Sequence, residues 1–565
     1  MASPDRPASA FGGRFRNPLS RLLSRRTTRR PTDRTGDRTN GRATGQAGLA
    51  VASVAALAVL ATGCGSGGDS AAKPAGAAAE KPLTIYNSYS IAGLDPVGTG
   101  TNWLFDWGVA ENLMEAGEDG VVRPWLAQSV TQGSPTEWRI TLRPGMTFQN
   151  GRPVDAEAVN RALTRQIARS KAVRTYLAEG STVRTTGPLD LVLTTPAPNA
   201  AVPAALAARD TSLQIYDTEA VEAAGGYSAK IVNAGAFTGP YAVTAWTPDL
   251  LKLARYDKYW AGRPKLPSVT VKVVPDEQAR IAGVQSGEAQ LAFYPSPDAA
   301  LTLAGRTDSV LRTSPKALQA LLIDMNLTAA PFDDARVRRA FARAIDYREL
   351  GEDVAKGSFA TATGLYPEGY PYAAATQHTD FAEANRLLDE AGWAKGKDGV
   401  RGKDGKRLTV RFVTQAQGPE TNALAVVIKS EVAKAGFDLQ IVNAEDSART
   451  KADLGAWEAS IGLNGSLSGT ADPIQPFRAR WTTGGSANAQ KLSDPRVDAL
   501  GDRLLTTTDQ AAREQLLREG QAILSDREAY VIAATYKQFA VVAGGDWTGY
   551  QVSNVRRHLR FDTAP

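Results

Sequence analysis

The chain has very little of the side-chain chemistry that enzymes and metalloproteins most often use. Among its 565 residues are one cysteine, Cys64, and two histidines, His378 and His558. A single cysteine excludes an intrachain disulfide, and this Cys and His content excludes a structural zinc site. A Ser-His-Asp hydrolase would have to use one of the two histidines, and motifs of the G-x-S-x-G, H-E-x-x-H and P-loop types are missing. We therefore expect no catalytic centre, no metal site and no cofactor.

The excess of basic residues is confined to the beginning of the chain. The formal net charge is +6, but residues 1–63 contain 11 Arg against 3 Asp, which leaves 54 basic and 56 acidic side chains in the remainder. A nucleic-acid-binding protein needs a basic face on its folded part. We therefore expect no nucleic-acid partner.

A hydrophobic run long enough to cross a bilayer is also missing. The uncharged segment 49–61 has 13 residues, whereas a spanning helix needs about 20. It follows the Arg-rich lead and directly precedes Cys64, which predicts a secretory signal over 1–63 with a lipobox and a lipid on Cys64. Residues 64–82 predict a flexible tether, because they carry no large apolar side chain. The predicted location is the extracytoplasmic face of the membrane; an ordinary buried Cys64 thiol is the alternative.

From Leu83 onward the sequence alternates between strand and helix patterns. A strand is predicted over 138–142, followed by a helix capped by Asp155. Asp333 or Asp334 caps a second amphipathic helix, and its four arginines are expected to form a solvated face: Arg336, Arg338, Arg339 and Arg343. The patterns at 408–412, 420–435 and 437–441 predict a βαβ unit with parallel strands.

A series of motifs then occurs in a fixed order along the chain. It includes Leu94-Asp95-Pro96, the stretch LRPGMTFQNGRPVDAEAV over 142–159, Thr238-Gly239-Pro240-Tyr241, the stretch PFDDARVR over 331–338, Leu387 to Trp393, and Asp494 to Asp498. This series resembles the family 5 extracellular solute-binding proteins, the oligopeptide, dipeptide and nickel binders of ABC importers. The stretch over 142–159 departs from the family pattern at Ala158, where the family has the second of two consecutive acidic residues.

The resemblance implies an α/β class, with a two-lobed periplasmic-binding-protein-like fold, hinge-connected lobes and mixed sheets. The implied boundaries are 83–320 for lobe I, including a small subdomain around 115–185, 321–530 for lobe II, and 531–565 for a return to lobe I. Hinge segments are expected near 321–326 and 530–536.

The resemblance also implies a function without bond making or breaking. The expected protein is a monomeric receptor that captures a small polar ligand, with a short peptide as the first expectation, and delivers it to an ABC permease and its ATPase. Two alternatives share this fold: a surface peptide sensor or chaperone, and a binder of a non-peptide solute such as a nickel chelate. An enzyme on the same scaffold is a further rival, although the sequence offers no nucleophile and base.

Six residues are candidates for ligand contact. Peptide binders of the family place an acidic residue shortly before an Asp-Pro pair, to hold the ligand's amino group. In this chain Asp472 is the substitute for that residue, with a capping or turn role as its alternative. The other candidates are Tyr89, Asn102 and Trp103 in the first lobe and Asn464 and Trp481 in the second, although large aromatic residues are more often packing residues.

Overall fold

The structure is a computed structural model. It describes residues 81–98, 102–174, 176–209, 213–225, 228–296, 298–354, 359–416, 419–464 and 473–565. The proposed signal, Cys64 and Asp472 therefore lie outside the described residues. The described residues all belong to one compact unit. No helix in the described ranges combines the length and the apolar character needed to cross a membrane.

Twenty strands are assigned within the described part of the chain. In chain order they are β1 Leu83–Asn87, β2 Met114–Ala116, β3 Val122–Pro124, β4 Ala127–Ser134, β5 Glu137–Leu142, β6 Thr182–Thr185, β7 Asp190–Thr194, β8 Tyr241–Thr247, β9 Leu250–Arg255, β10 Ser268–Val273, β11 Leu291–Phe293, β12 Ser309–Met325, β13 Phe359–Thr361, β14 Ala394–Lys395, β15 Arg401–Lys403, β16 Lys406–Arg407, β17 Thr409–Gln415, β18 Asp438–Ala444, β19 Ala459–Asn464 and β20 Val531–Gly544.

Fifteen α-helices are assigned in the same ranges, with two π-helices, Glu349–Asp353 and Ala522–Arg527, and a 3₁₀ turn at Gly545–Gly549. The α-helices are α1 Trp103–Asp106, α2 Ala156–Arg169, α3 Lys171–Arg174, α4 Val202–Ala207, α5 Thr218–Ala223, α6 Ser228–Ile231, α7 Glu277–Gln285, α8 Ala299–Thr302, α9 Ala335–Arg343, α10 Phe381–Glu390, α11 Pro419–Ala435, α12 Ser447–Ala452, α13 Ile474–Trp481, α14 Pro495–Thr506 and α15 Gln510–Gln521.

One large mixed sheet runs through the molecule. Its strand order is β18-β17-β19-β12-β20-β11-β1-β10-β9-β8, with β13 added on β20. Strand β1 is parallel to both β10 and β11, so these three strands end at the same edge. The mixed α/β architecture expected from the sequence is confirmed.

The elements with strong local patterns lie where the sequence places them. Strand β5 buries Trp138, Ile140 and Leu142 and exposes the residues between them. Helix α2 begins after Asp155, whose carboxylate accepts a hydrogen bond from Ala158 N. Strands β17 and β18 are parallel and joined by α11, so the predicted βαβ unit is confirmed.

The arginines of α9 correct one expectation. Asp334 caps this helix as predicted, but Arg338 and Arg343 are each only 4% exposed, so the predicted fully solvated face is wrong. Arg338 donates to the carbonyls of Phe332 and Glu528, and Arg343 pairs with Glu383 and Asp526. A buried guanidinium is tolerated because each of its donors can find an acceptor. Partners distant in sequence therefore bury half of the predicted polar face.

Two hydrophobic cores share the large sheet. One core contains residues between Leu83 and Phe293 together with Phe539 to Leu559, and the other contains residues between Ala317 and Tyr536. The antiparallel pair β12 and β20 runs from one core into the other. Its register shifts between Thr313 and Ala317 and again before Gln319, at the place where the core changes, and a third time between Leu321 and Leu322 in the second core. Irregular pairing thus coincides with the transition between the two halves.

A third core lies on a separate sheet. Strands β4, β5, β7 and β6 form four antiparallel neighbours over 127–194, and α2 packs on them. This sheet overlaps the small subdomain that the sequence analysis places around 115–185. Leu113 and Ile215 are also members of this third core.

Candidate functional site

The carboxyl edge of β1 and β11 carries a group of aromatic side chains at the transition between the two cores. Tyr89 follows β1, Tyr294 follows β11, and Phe539 lies on β20 beside them. The ring centroids of Tyr89 and Tyr294 are 4.9 Å apart, and those of Tyr294 and Phe539 are 5.1 Å apart. We name these three residues, with Arg556, the aromatic ledge. Ligands of open α/β sheets bind outside the carboxyl ends of parallel strands.

Arg556 supplies the positive charge of the ledge. Its guanidinium carbon lies 5.4 Å from the centre of the Phe539 ring, a distance typical of a cation–π contact. The residue is half-buried, and its Nε has no hydrogen-bond partner. Tyr89, by contrast, is 64% exposed, so solvent reaches the ledge from one side.

Two bulky residues of the ledge have left-handed backbone conformations. Tyr294 and Arg556 each have φ of 57°, a region that large side chains rarely occupy. The buried Arg280 holds the first of them, because it donates to the carbonyl oxygens of Tyr294, Val274 and Pro275. Such conformations persist only where the surrounding structure imposes them, and they cluster at binding sites.

His558 forms the floor behind the ledge. Its ring stacks on Phe539 with centroids 5.1 Å apart and also contacts Phe293 and Trp107. Burial, together with the charges of Arg209 and Arg556, holds the pKa of His558 well below its ordinary value. The imidazole is therefore neutral, and it belongs to the packing rather than to an acid–base pair. The backbone around His558 is irregular.

The remaining charges near the ledge are paired. Asp106 and Arg209, both buried, form a two-pronged ion pair with N–O distances of 2.5 Å. Arg557, next to Arg556, is buried against Glu111 and Glu115. Polar atoms at the end of β1 are not all satisfied, since Asn87 Oδ1 and Ser88 Oγ have no hydrogen-bond partner. The ledge thus combines a cation, aromatic walls and free polar atoms.

A second contact region joins residues of the two halves. Residues 119–122 and 200–204 on one side face 370–372 and 508–517 on the other, around a cavity of about 230 Å³. Ala200 N donates to Leu505 O at 2.7 Å across this contact, which we name the seam. Sites for drug-sized ligands have volumes of about 300–1,000 Å³. The cavity at the seam is therefore too small to be the whole binding site.

The sequence-derived candidates occupy different environments. Tyr89 lies on the ledge. Asn102 precedes α1, and Trp103 is 7% exposed, with its indole donating to Ala92 O. Trp481 is buried against Phe477 and Tyr366 in the second core. Asn464 ends β19 in register with Ala320, one residue from the register shift, although its side chain is outside the described part.

The structure brings together Tyr89 with three residues that the sequence analysis did not select: Tyr294, Phe539 and Arg556. No local pattern marks them, because their proximity depends on strands far apart in the chain. A bulky residue directly after a short buried strand, as at Tyr294, is the one local signal available.

Comparisons with known proteins bear on the family and the fold of the chain. The sequence model described as bacterial extracellular solute-binding proteins, family 5 Middle, matches residues 121–488. The glutathione-binding protein GsiB of Salmonella paratyphi A is 28% identical over 468 residues, covering 80% of this chain and 88% of GsiB.

Two solved structures share the fold at lower identity. NikA from Staphylococcus aureus in complex with Ni(L-His)₂ superposes with a TM-score of 0.68 at 22% identity, covering 85% of this chain and 99% of NikA. The oligopeptide-binding protein AppA from Bacillus subtilis in complex with a nonapeptide gives 0.65 at 19% identity, covering 85% of this chain and 98% of AppA.

Proposed function

The chain belongs to the family 5 bacterial extracellular solute-binding proteins, and we propose that it is a lipid-anchored receptor that delivers a short peptide to an ABC permease. Members of this family are solute receptors of ABC importers and not enzymes. The peptide ligand and the lipid anchor are the parts of the proposal that go beyond family membership.

The observation that carries the proposal is the position of the aromatic ledge. It lies where β12 and β20 pass from one core to the other, so a solute on the ledge is within reach of both halves. Contacts that exist only when both halves surround the solute favour the closed state. Capture and a change of shape are therefore coupled in this arrangement.

We place the hinge at the register shifts, in 313–319 of β12 and 537–538 of β20. Lys537 and Gln538 are half-buried and lie between Tyr536 of the second core and Phe539 of the first. Changes in backbone angle are absorbed most easily where strand pairing is already irregular. This position lies a few residues from the hinge and lobe boundaries predicted from the sequence.

A peptide is favoured over other solutes by the mixed chemistry of the ledge and by two relatives. GsiB is named for glutathione, a tripeptide, and AppA was solved with a nonapeptide. NikA was solved with a nickel complex of histidine, so a chelate of an amino acid is the second candidate. Asp472, outside the described residues, remains our candidate partner for a peptide's amino group.

The ligand proposal is tested by screening the purified full-length protein against di- and tripeptides, their N-acetylated forms, and nickel–histidine. Binding by calorimetry with a smaller radius of gyration in X-ray scattering is the expected result. A ligand at a hundredfold excess over Kd stabilises the folded state by about 2.7 kcal/mol. Binding of nickel–histidine alone would replace the peptide proposal with the chelate, and an unchanged radius would contradict closure.

The anchor proposal is tested separately with Cys64→Ala. The variant should lose the lipid and leave the membrane fraction or stay unprocessed, because a thioether needs the sulfur. Ser66→Ala is a control with a similar change nearby. Unchanged fractionation and an unmodified mature N-terminal peptide in the parent protein would contradict the anchor.

A further inference from the structure

Arg556 is a cation without a counter-charge. None of the described residues forms an ion pair or a hydrogen bond with its guanidinium, and its contact with the protein is the face of the Phe539 ring. A half-buried guanidinium has lost part of its hydration, and unsatisfied donors in such a place are costly. Apart from the buried Nε–H, the N–H donors of this guanidinium are therefore left for a bound molecule.

The segment around Arg556 is fixed on both sides. Before it, Ser553 Oγ and Asn554 N donate to the Glu118 carboxylate at 2.8 and 2.6 Å. After it, Arg557 pairs with the buried Glu111, and His558 N donates to Asp106 O at 2.8 Å. These anchors account for the left-handed conformation of Arg556, which the fold maintains although the side chain has no partner within the protein.

Within the part of the chain that the structure describes, no acidic side chain pairs with this charge. The ionisable groups that act on the neighbouring Tyr294 are Arg556, Asp106, Arg209 and Tyr89. Asp106 is already paired with Arg209, and the buried His558 behind the ring of Phe539 is neutral. The aromatic ledge therefore has a net positive charge that a ligand must complement.

We propose that Arg556 binds an anionic group of the solute, a carboxylate in the first instance, and holds an adjacent apolar group against Tyr89, Tyr294 and Phe539. The planar guanidinium matches a carboxylate with two parallel hydrogen bonds. This inference rests on the proposed function, because it names the chemistry of the solute that the receptor captures.

The end of β1 adds a second requirement on the solute. Asn87 is 6% exposed, and its Oδ1, an acceptor, lacks a donor; Ser88 Oγ is also unpartnered. A solute that carries a carboxylate and also N–H or O–H donors complements both features. Amino acids, peptides and their derivatives have this combination, whereas simple fatty acids and neutral sugars do not.

The neighbouring arginines do not offer the same chemistry. Arg209 is engaged by Asp106, and Arg557 by Glu111 and Glu115. Arg280 is 4% exposed and donates to three backbone carbonyls. Substituting any of these three removes ion pairs or hydrogen bonds within the fold. Substituting Arg556 removes no polar contact with the described residues.

The experiment compares free-acid dipeptides and tripeptides with their C-terminal amides, on the wild-type protein and on Arg556→Gln. A hydrogen-bonded charge pair changes affinity by about 10- to 100-fold. We expect amidation to weaken binding to the wild type by that factor, and Arg556→Gln to weaken the free acid equally while leaving the amide within about twofold. Arg556→Lys should retain part of the preference for the acid.

Folding and nonspecific charge effects are controlled within the same experiment. Arg184→Gln makes the same change of charge on β6, where the side chain is 60% exposed, and should leave all affinities unchanged. Circular dichroism and thermal unfolding establish that Arg556→Gln is folded. Phenylbutyrate and nickel–histidine extend the screen to carboxylates that are not peptides.

Each outcome bears on a different claim. Equal affinity for acid and amide, or an unchanged affinity of Arg556→Gln for the acid, overturns the role of Arg556 while the receptor function stands. Binding of phenylbutyrate or nickel–histidine alone, with loss in Arg556→Gln, supports the anion site and contradicts the peptide. Failure of every solute to bind contradicts the proposed function and this inference with it.

Discussion

The left-handed backbone at Arg556 has a measurable cost that is separate from ligand binding. Glycine occupies positive φ freely, whereas for other residues this region costs about 1–2 kcal/mol, partly offset by the larger unfolded-state entropy of glycine. We expect the free energy of unfolding of Arg556→Gly to exceed that of Arg556→Ala by about 0.5–1 kcal/mol. Urea denaturation of the ligand-free proteins measures the difference.

The exposed Arg312, within β12, provides the matched control. There glycine should be less stable than alanine, since a strand interior gives glycine no advantage. The same order of stabilities at both positions would contradict strain at Arg556.

Glu349 gives a prediction on pH dependence. Burial and the charges of Glu431 and Asp346 raise its pKa, with Lys434 opposing them. Because the folded state then binds the proton more tightly than the unfolded state, the contribution of Glu349 to stability is present at low pH and is lost as pH rises through the raised value. Glu349→Gln should therefore be more stable than the wild type at neutral pH.

The advantage of Glu349→Gln should disappear below pH 4.5, where the carboxyl group is protonated in both states. Glu352→Gln is the control, because Glu352 lies in the same π-helix with its side chain 57% exposed and faces Arg348 instead. Thermal unfolding across pH 4 to 8 measures both; parallel curves for wild type and Glu349→Gln would contradict the assignment.

Single residues were the hardest to predict from the sequence. Arg338 and Arg343 share a helix face with exposed arginines, and the periodicity of α9 does not reveal that Glu528, Glu383 and Asp526 cover them. The isolation of Arg556 is likewise a product of contacts from Glu118 and Glu111, more than 400 residues away in the chain. Local pattern carries no information about such pairings.

At the scale of elements, the side chain of one buried serine bridges the irregular pairing of β12 and β20. Ser314 Oγ accepts a hydrogen bond from Phe539 N at 3.0 Å and donates to Lys316 O at 2.7 Å. Ser314→Ala leaves a buried N–H without an acceptor, which costs about 1–3 kcal/mol. We expect denaturant unfolding to show that loss.

Ser286→Ala is the comparison for Ser314→Ala, because Ser286 Oγ donates to one carbonyl at the end of α7, away from the hinge. We expect Ser286→Ala to lower the free energy of unfolding by less than Ser314→Ala does. Equal losses would mean that the bond to Phe539 N contributes nothing particular to the register shift.

Elements with clear local signals were predicted well. The alternation at Trp138, Ile140 and Leu142 gave β5, and the capping carboxylate of Asp155 gave the beginning of α2. Both signals depend on residues close together in the chain, so they can be recognised without knowledge of the tertiary structure. The ledge could not be predicted in this way, because it joins the ends of β1 and β11 to the middle of β20.

At the scale of the whole molecule, the seam offers a test of closure. The short Ala200 N to Leu505 O hydrogen bond brings two backbones from opposite halves close enough for a disulfide. In a Cys64→Ser background, Ala200→Cys with Leu505→Cys should form a disulfide when oxidised and keep the protein compact without ligand. X-ray scattering before and after reduction measures this.

The single-cysteine variants control for the substitutions themselves, and ligand should still compact them. Formation of the disulfide without any change in radius on reduction would contradict an opening motion at the seam. Peptide binding by the oxidised double variant should be slowed, because a closed receptor admits its ligand poorly.

The general architecture followed from the order of motifs along the chain, whereas the register shifts between β12 and β20 did not. Motifs such as Thr238 to Tyr241 and Leu387 to Trp393 indicate the family, and membership of the family implies its fold. The register shift after Thr313 depends on the pairing of β12 with β20. The spacing of apolar residues within either strand does not predict it.

The order in which the first core is completed has a consequence for biosynthesis. Its last apolar members are in β20 and the segment that follows: Phe539, Val541, Ala543, Trp547, Tyr550, Val552 and Leu559. A ribosome synthesises these residues long after Phe293, so the N-terminal part of the core cannot finish packing until they have emerged. The N-terminal part of this core therefore stays incompletely packed until β20 and the segment after it have been synthesised.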